Sequence, residues 1–146
     1  MKVILSADHA GVTIRKEVSN LLEEMNIEYV DTGCEGSGSV DYPDYALPAA
    51  ERVASGDFDR GILICGTGIG MSIAANKVKG VRCALTHDVY SAKLTRQHNN
   101  TNVLAMGERV IGPGLAREIV QTWLETDFEG GRHANRIGKI TNYEEK

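Results

Sequence analysis

Gly61-Ile-Leu-Ile-Cys65-Gly-Thr-Gly-Ile-Gly70-Met-Ser72 is the stretch on which the fold turns. An apolar run ends at a cysteine, enters a turn with three glycines in five residues, and continues as Ile73-Ala-Ala-Asn-Lys77. A continuous apolar run suits a strand buried on both faces, so the stretch reads as buried strand, tight turn and opening helix. Glycine takes backbone conformations that a Cβ forbids and lets the main chain close on a bound group. The first amides of the following helix lack intrahelical acceptors and carry partial positive charge. Such a turn can hold an anion, or an oxygen that becomes one. Cys65 stands at its lip, where a thiol ionises more readily than in free solution.

Upstream, Lys2 to Ala7 reads as a strand closed by the turn Asp8-His9-Ala10-Gly11. Ile14, Val18, Leu21, Leu22 and Met25 recur at helical spacing and predict a helix over Val12 to Met25. Ile27 to Asp31 is a second strand, and Thr32 to Pro43 is a loop rich in Gly, Ser and Asp. A loop of that length is expected to serve a function. Tyr45 to Val53 is the next helix, stopped by Ser55-Gly56-Asp57. Downstream, Val81 to Leu85 is a strand ending in Thr86-His87-Asp88, and Val89 to Gln97 is a helix that His98-Asn99-Asn100 breaks. Asn102 to Met106 is the fifth strand, followed by Gly107-Glu108-Arg109. Pro113 suits the first position of a helix, whose buried stripe is Leu115, Ile119, Val120, Trp123 and Leu124. Gly130-Gly131 hinges into a terminal helix from Arg132 to about Ile140.

Strand and helix alternate five times, so the expected fold is α/β: a doubly wound five-stranded parallel sheet, Rossmann-like or flavodoxin-like. No repeat or linker divides it, and residues 1–146 are expected to be a single domain. Ligands of open sheets bind beyond the carboxyl ends of the strands. Those ends carry Asp8, His9, Asp31, Cys65 with its glycines, His87, Asp88 and Arg109.

A net charge of −4 and a pI near 5.6 argue against general binding of nucleic acid or an anionic membrane. The opening Met1-Lys-Val-Ile-Leu-Ser-Ala-Asp8 meets charge too soon for a signal peptide, and no run is long enough to span a bilayer. Cys34, Cys65 and Cys83 are an odd set with no close pair, which suggests neither a disulfide framework nor a zinc site. The expectation is a soluble cytoplasmic protein with reduced thiols.

Each chemically capable residue also has an ordinary reading. Gly66-Thr-Gly-Ile-Gly70 fails as a dinucleotide loop because Met71 stands where the third glycine belongs. Asp88 does follow Gly68 at the spacing of a ribose-binding acid. A packing turn, an anion cradle and a dinucleotide site therefore all stay open. Free cysteine is commonly a small core residue, which fits Cys34 and Cys83; Cys65 differs by the amides beyond it. His98 reads as a helix-end cap or as a general acid or base, and His9 in its strand–helix turn is weighed the same way. Arg132 and Arg136 share a helix face and can grip a phosphate, although solvated surface is the usual reading of arginine.

Taken together, six blocks are more specific than any one. They are Asp8-His9-Ala-Gly11, Asp41-Tyr42-Pro43, Cys65-Gly-Thr-Gly-Ile-Gly70 with Ser72-Ile-Ala-Ala-Asn-Lys77, Arg96-Gln-His98-Asn99, Thr101-Asn-Val-Leu-Ala105, and Glu129-Gly-Gly-Arg132-His133. With these in order along nearly the whole chain, the sequence resembles ribose-5-phosphate isomerase type B. That group belongs to a wider family that also holds the galactose-6-phosphate isomerase subunits.

The resemblance implies interconversion of ribose 5-phosphate and ribulose 5-phosphate with no cofactor and no metal. It implies a homodimer or dimer of dimers with sites shared between subunits, the terminal helix reaching a partner. Cys65 would be the base that moves a proton between C2 and C1. The amides of Gly66, Thr67, Gly68, Ile69 and Gly70 would hold the developing oxyanion, with the Thr67 and Ser72 side chains nearby. His98 would assist ring opening, Asp8 and Tyr42 would contact the sugar, and Asn99 would bind a hydroxyl. His9 and Arg109 would take the phosphate, with Arg132 and Arg136 from the partner. Isomerases of six-carbon sugar phosphates, allose 6-phosphate or galactose 6-phosphate, are the nearest alternative. A non-catalytic sugar-phosphate or nucleotide-binding module is the alternative of another class.

Overall fold

The computed structural model describes residues 1–146. Strands β1 (Lys2–Ala7), β2 (Glu28–Asp31), β3 (Arg60–Cys65), β4 (Cys83–Leu85) and β5 (Val103–Gly107) make one parallel sheet in the order β2-β1-β3-β5-β4. The helices are α1 (Val12–Glu24), α2 (Pro43–Ala54), α3 (Ile69–Ala75), α4 (Val89–Asn99), α5 (Pro113–Glu125) and α6 (Arg132–Glu144). None is long and apolar enough to cross a membrane.

From β1 the chain steps out to β2, back across to β3, on to the far edge at β4, and inward to β5. Right-handed crossovers then require α1 and α4 on one face and α2 and α3 on the other. The two cores have that membership. Ile14, Val18 and Leu22 of α1, Ala92 of α4 and Trp123 of α5 pack on Val3, Leu5, Ile62 and Ile64. Ala46, Ala50 and Val53 of α2 and Met71 and Ala75 of α3 pack on Ile4, Leu63 and Cys65. β3 is apolar and buried from Gly61 to Cys65 because both of its faces are covered, and Cys65 belongs to the α2/α3 side.

The strand order exchanges the last two positions of the flavodoxin-like order 2-1-3-4-5. Burial gives the reason. β4 has only three residues, none of them buried, while β5 is buried along its whole length. The short, half-exposed strand takes the edge and the fully apolar one the interior. Helix ends also differ from the reading of the sequence, α6 running on past Ile140 to Glu144. α2 starts at Pro43, a residue suited to the first helical position. α4 continues through His98 and Asn99 and stops only at Asn100, which takes the left-handed conformation with φ +45°. Asparagine is one of the few residues that accept it.

Candidate active site

The winding reverses between β1 and β3, which opens a crevice beyond their carboxyl ends. Cys65, the last residue of β3, is only 6% exposed there. The next turn is shaped by close approach. Gly68 has φ +76°, and a Cβ on it would lie 2.6 Å from Leu85 Cδ1 and 2.8 Å from the Met106 carbonyl carbon. A Cβ on Gly107 would sit 2.5 Å from Thr67 Cα. Held this way, the Gly68 N–H donates to Cys65 Sγ at 3.1 Å. α3 has only seven residues, so what faces the sulfur is one directed amide rather than a long helix dipole.

The neighbours of Cys65 converge on the same edge. Arg109 donates its amide to the Gly66 carbonyl at 3.0 Å, and its guanidinium lies where a Gly66 Cβ would come within 3.1 Å of Nη1. Asp8, also 6% exposed, accepts from the Ala10 amide at 2.8 Å. His9 Nδ1 accepts from the Val40 amide at 3.2 Å, which leaves Nε2 to carry the proton of the neutral ring and pins the 32–42 loop to the site. The Tyr42 ring covers Gly70 so closely that a Cβ there would be 2.7 Å from it. Thr67 Oγ1 accepts from the Ile69 amide at 3.4 Å. Ser72 is turned back on its own helix, its hydroxyl donating to the Ile69 carbonyl at 2.8 Å. Asp88 spends its carboxylate capping α4, accepting from the Ser91 amide at 2.6 Å, which removes the ribose-binding role that its spacing allowed.

His98, Asn99, Arg132 and Arg136 are not with them. α4 leaves the carboxyl edge of β4 and runs back across the sheet, its 11 residues spanning about 16 Å. Its end lies at the amino edge, where Gly61 donates to the Asn102 carbonyl and Arg82 to the Asn99 carbonyl. Cys65 is at the other end of β3, on the order of 20 Å away. A shared pocket within one chain is therefore ruled out by topology. At the amino edge a second cluster forms. The His98 and His133 rings stack with centroids 4.2 Å apart and planes 9° from parallel. Glu129 Oε2 is 3.5 Å from His133 Nε2. Burial, with His98, Arg132 and Arg136 alongside, holds His133 below the ordinary imidazole value. Ligand atoms of His98, Glu129 and His133 lie within 4.8 Å of one another. Arg132 and Arg136 alongside oppose a cation, so the trio is a poor metal centre. A cavity of about 340 Å³ lies at this edge between α6 and β4, lined among others by Arg82, Asn99, Thr101, Ile137 and Ile140.

Residues 3–140 match the family model described as Ribose/Galactose Isomerase. The chain belongs to the ribose/galactose isomerase family. It is 71% identical over 147 residues to YwlF of Bacillus subtilis, a protein named for sugar phosphate isomerisation with no sugar specified, covering 100% of this chain and 99% of that one. The ribose-5-phosphate isomerase B of Clostridium thermocellum superposes with TM-score 0.97 at 51% identity, over 99% of this chain and 98% of that chain. The ribose-5-phosphate isomerase B of Mycoplasma genitalium, solved with bound ribulose-5-phosphate, gives TM-score 0.95 at 43% identity, over 99% of this chain and 97% of that one.

This member of the ribose/galactose isomerase family thus carries two groups of chemically capable residues at opposite edges of its sheet. One has a thiol, turn amides, a carboxylate, an imidazole and Arg109; the other has two stacked imidazoles and two arginines. Some supporting residues escaped the sequence reading. His87 Nε2 accepts from the Gly107 amide at 3.0 Å, and burial holds its ring below the ordinary value. It thereby fixes the glycine that packs on Thr67. Its place at the end of a strand was visible, but not that it would serve the backbone. Glu129 carried no signal of its own, since a carboxylate beside Gly-Gly reads as a loop residue.

Proposed function

We propose that the protein interconverts ribose 5-phosphate and ribulose 5-phosphate, with Cys65 as the base. The observation that carries the base assignment is the Gly68 amide on Cys65 Sγ, at 3.1 Å, in the crevice between β1 and β3. The thiolate takes the C2 proton of the open-chain aldose, and the electron pair forms the C1=C2 bond as charge passes to O1. Amides of the Gly66–Gly70 turn receive that charge. The O2 proton moves to O1, C2=O forms, and the thiol returns its proton to C1. Thr67 stands beside the two oxygens, and Asp8 and Tyr42 hold sugar hydroxyls.

His9 and Arg109 take the phosphate. His98 and Asn99, with Arg132 and Arg136, come from a second copy of the chain; their placement at the far edge of the sheet supports this, because one chain alone cannot bring them to Cys65. The protein is accordingly a homodimer, or a dimer of dimers, with shared sites. No residue set at Cys65 calls for a metal, and the chemistry needs no cofactor.

Turnover of ribose 5-phosphate by purified, chelator-treated protein tests this, with allose 6-phosphate and galactose 6-phosphate alongside. Rapid ketose formation from the pentose is expected. Preference for a hexose phosphate would move the substrate assignment, and inactivity on all three would leave a binding module.

A further inference from the structure

Arg96 is 3% exposed, and nothing in the reaction above uses it. Burying a guanidinium is costly unless strong partners replace water, and Arg96 forms no ion pair with a carboxylate. Its partners are carbonyl-type oxygens on two separate segments. Nη1 donates to Asn100 Oδ1 at 2.9 Å and to the Thr101 carbonyl. Those bonds close the left-handed turn that directly follows His98 and Asn99. Nε donates to the Thr126 carbonyl at 3.3 Å, where α5 ends and the loop to Glu129, Arg132 and His133 begins. One buried side chain thus joins both segments that build the His98 half-site.

The surroundings reinforce the tie. Arg82 donates to the Asn99 carbonyl at 3.0 Å and to the Asn100 carbonyl at 2.9 Å. The Glu129 amide donates to the Gln97 carbonyl at 3.1 Å. Burial, with Arg60 and Arg82 nearby, pulls Arg96 down to about 10, so it remains a cation at neutral pH with charge-assisted bonds.

We propose that Arg96 is a positioning residue: by tying the Asn100 turn to the Thr126 carbonyl it sets the stack of His98 on His133, and it governs ring opening without touching substrate. The inference rests on the isomerase reading. The reaction offers a way to separate the steps. Ribose 5-phosphate reaches the site mainly as a closed furanose, whereas ribulose 5-phosphate, with O5 phosphorylated, is open-chain. Uptake of solvent deuterium at C1 of ribulose 5-phosphate therefore reports enolisation by Cys65 with no ring step.

Arg96→Lys keeps the charge and loses the fork. It should lower turnover of ribose 5-phosphate at least about tenfold, the scale expected for a displaced catalytic group. At saturating ribulose 5-phosphate, which removes any loss of binding through Asn99 or the arginines, deuterium uptake should stay within about twofold, because the thiol half is untouched. The His98 and His133 imidazole resonances should shift. Asn100→Gly keeps the left-handed backbone and removes one anchor, and should give a weaker form of the same pattern even if Arg96→Lys folds poorly. Equal loss of both activities in a folded variant, or unmoved imidazole resonances, would overturn the proposal. A parent protein inactive on both substrates would refute the isomerase reading instead, and the imidazole spectra would still decide whether Arg96 sets the stack.

Discussion

Of the three thiols, only Cys65 is placed to act. Loss of water around its sulfur pushes the thiol of half-buried Cys83 up to about 12, and Cys34 is buried with its sulfur turned to the Gly36 carbonyl at 3.7 Å. Replacing Cys65 by alanine should cut turnover by about 10³-fold, the worth of a positioned general base. Calorimetric binding of the sugar phosphate should persist, and retained turnover would end the base assignment. Two glycines predict opposite outcomes. At Gly70 the obstacle to a Cβ is the Tyr42 ring at 2.7 Å, the mobile end of a side chain that is 40% exposed. Gly70→Ala should therefore leave stability nearly unchanged and raise KM. At Gly107 the obstacle is Thr67 backbone at 2.5 Å, and overpacking of that kind costs about 1–3 kcal/mol. Gly107→Ala should show that loss in urea denaturation, together with lost turnover as the turn moves off Cys65. The special place of Cys65 could be read from its neighbours in sequence. The amide aimed at its sulfur could not, because Leu85 and Met106, which force Gly68 into position, come from distant strands.

At the scale of elements, the five strands and six helices follow from runs and spacings of apolar residues, whereas the order of β4 and β5 does not. Both are short apolar segments in sequence. What separates them is coverage from both faces, a property of the assembled sheet. His87 joins these two strands through the Gly107 amide, and the join has a pH signature. Its folded value lies below the ordinary one because of burial, so below about 6.5 the unfolded chain binds more protons than the folded chain. Stability should fall as pH drops through that window. His133, depressed in the same way, adds to the slope. His87→Gln keeps an acceptor for the amide but does not titrate, and should flatten the slope below about pH 6.5 in denaturation midpoints measured across pH. An unchanged slope would assign the acid sensitivity elsewhere. At the start of α4, the Ser91 amide holds the Asp88 carboxyl below its ordinary value. Its contribution is present at neutral pH and is lost only as pH falls below the usual carboxylate range.

For the whole molecule, the consequence of the topology is that the Cys65 group and the His98 group lie at opposite edges of the sheet, and the proposed sharing of sites between copies follows from that. The sequence shows which residues are chemically capable, but periodicity does not tell which end of a helix returns to which edge of a sheet. α4 settles that: Asp88 starts it beside the Cys65 edge, and His98 and Asn99 end it at the other. Sharing between copies can be tested without a structure of the assembly. Cys65→Ala and His98→Asn should each be inactive alone. Co-expressed at equal levels, they assort at random, and about half of the dimers are hybrids. In a hybrid with shared sites, one site pairs both altered halves and the other pairs an intact Cys65 with an intact His98. Activity should then return to about a quarter of the parental value per chain, since half of the dimers have one of two sites restored. If each chain held a complete site of its own, every site in a hybrid would still lack one group and the mixture would stay inactive. Recovery near a quarter would thus establish that the two edges of the sheet serve different active sites.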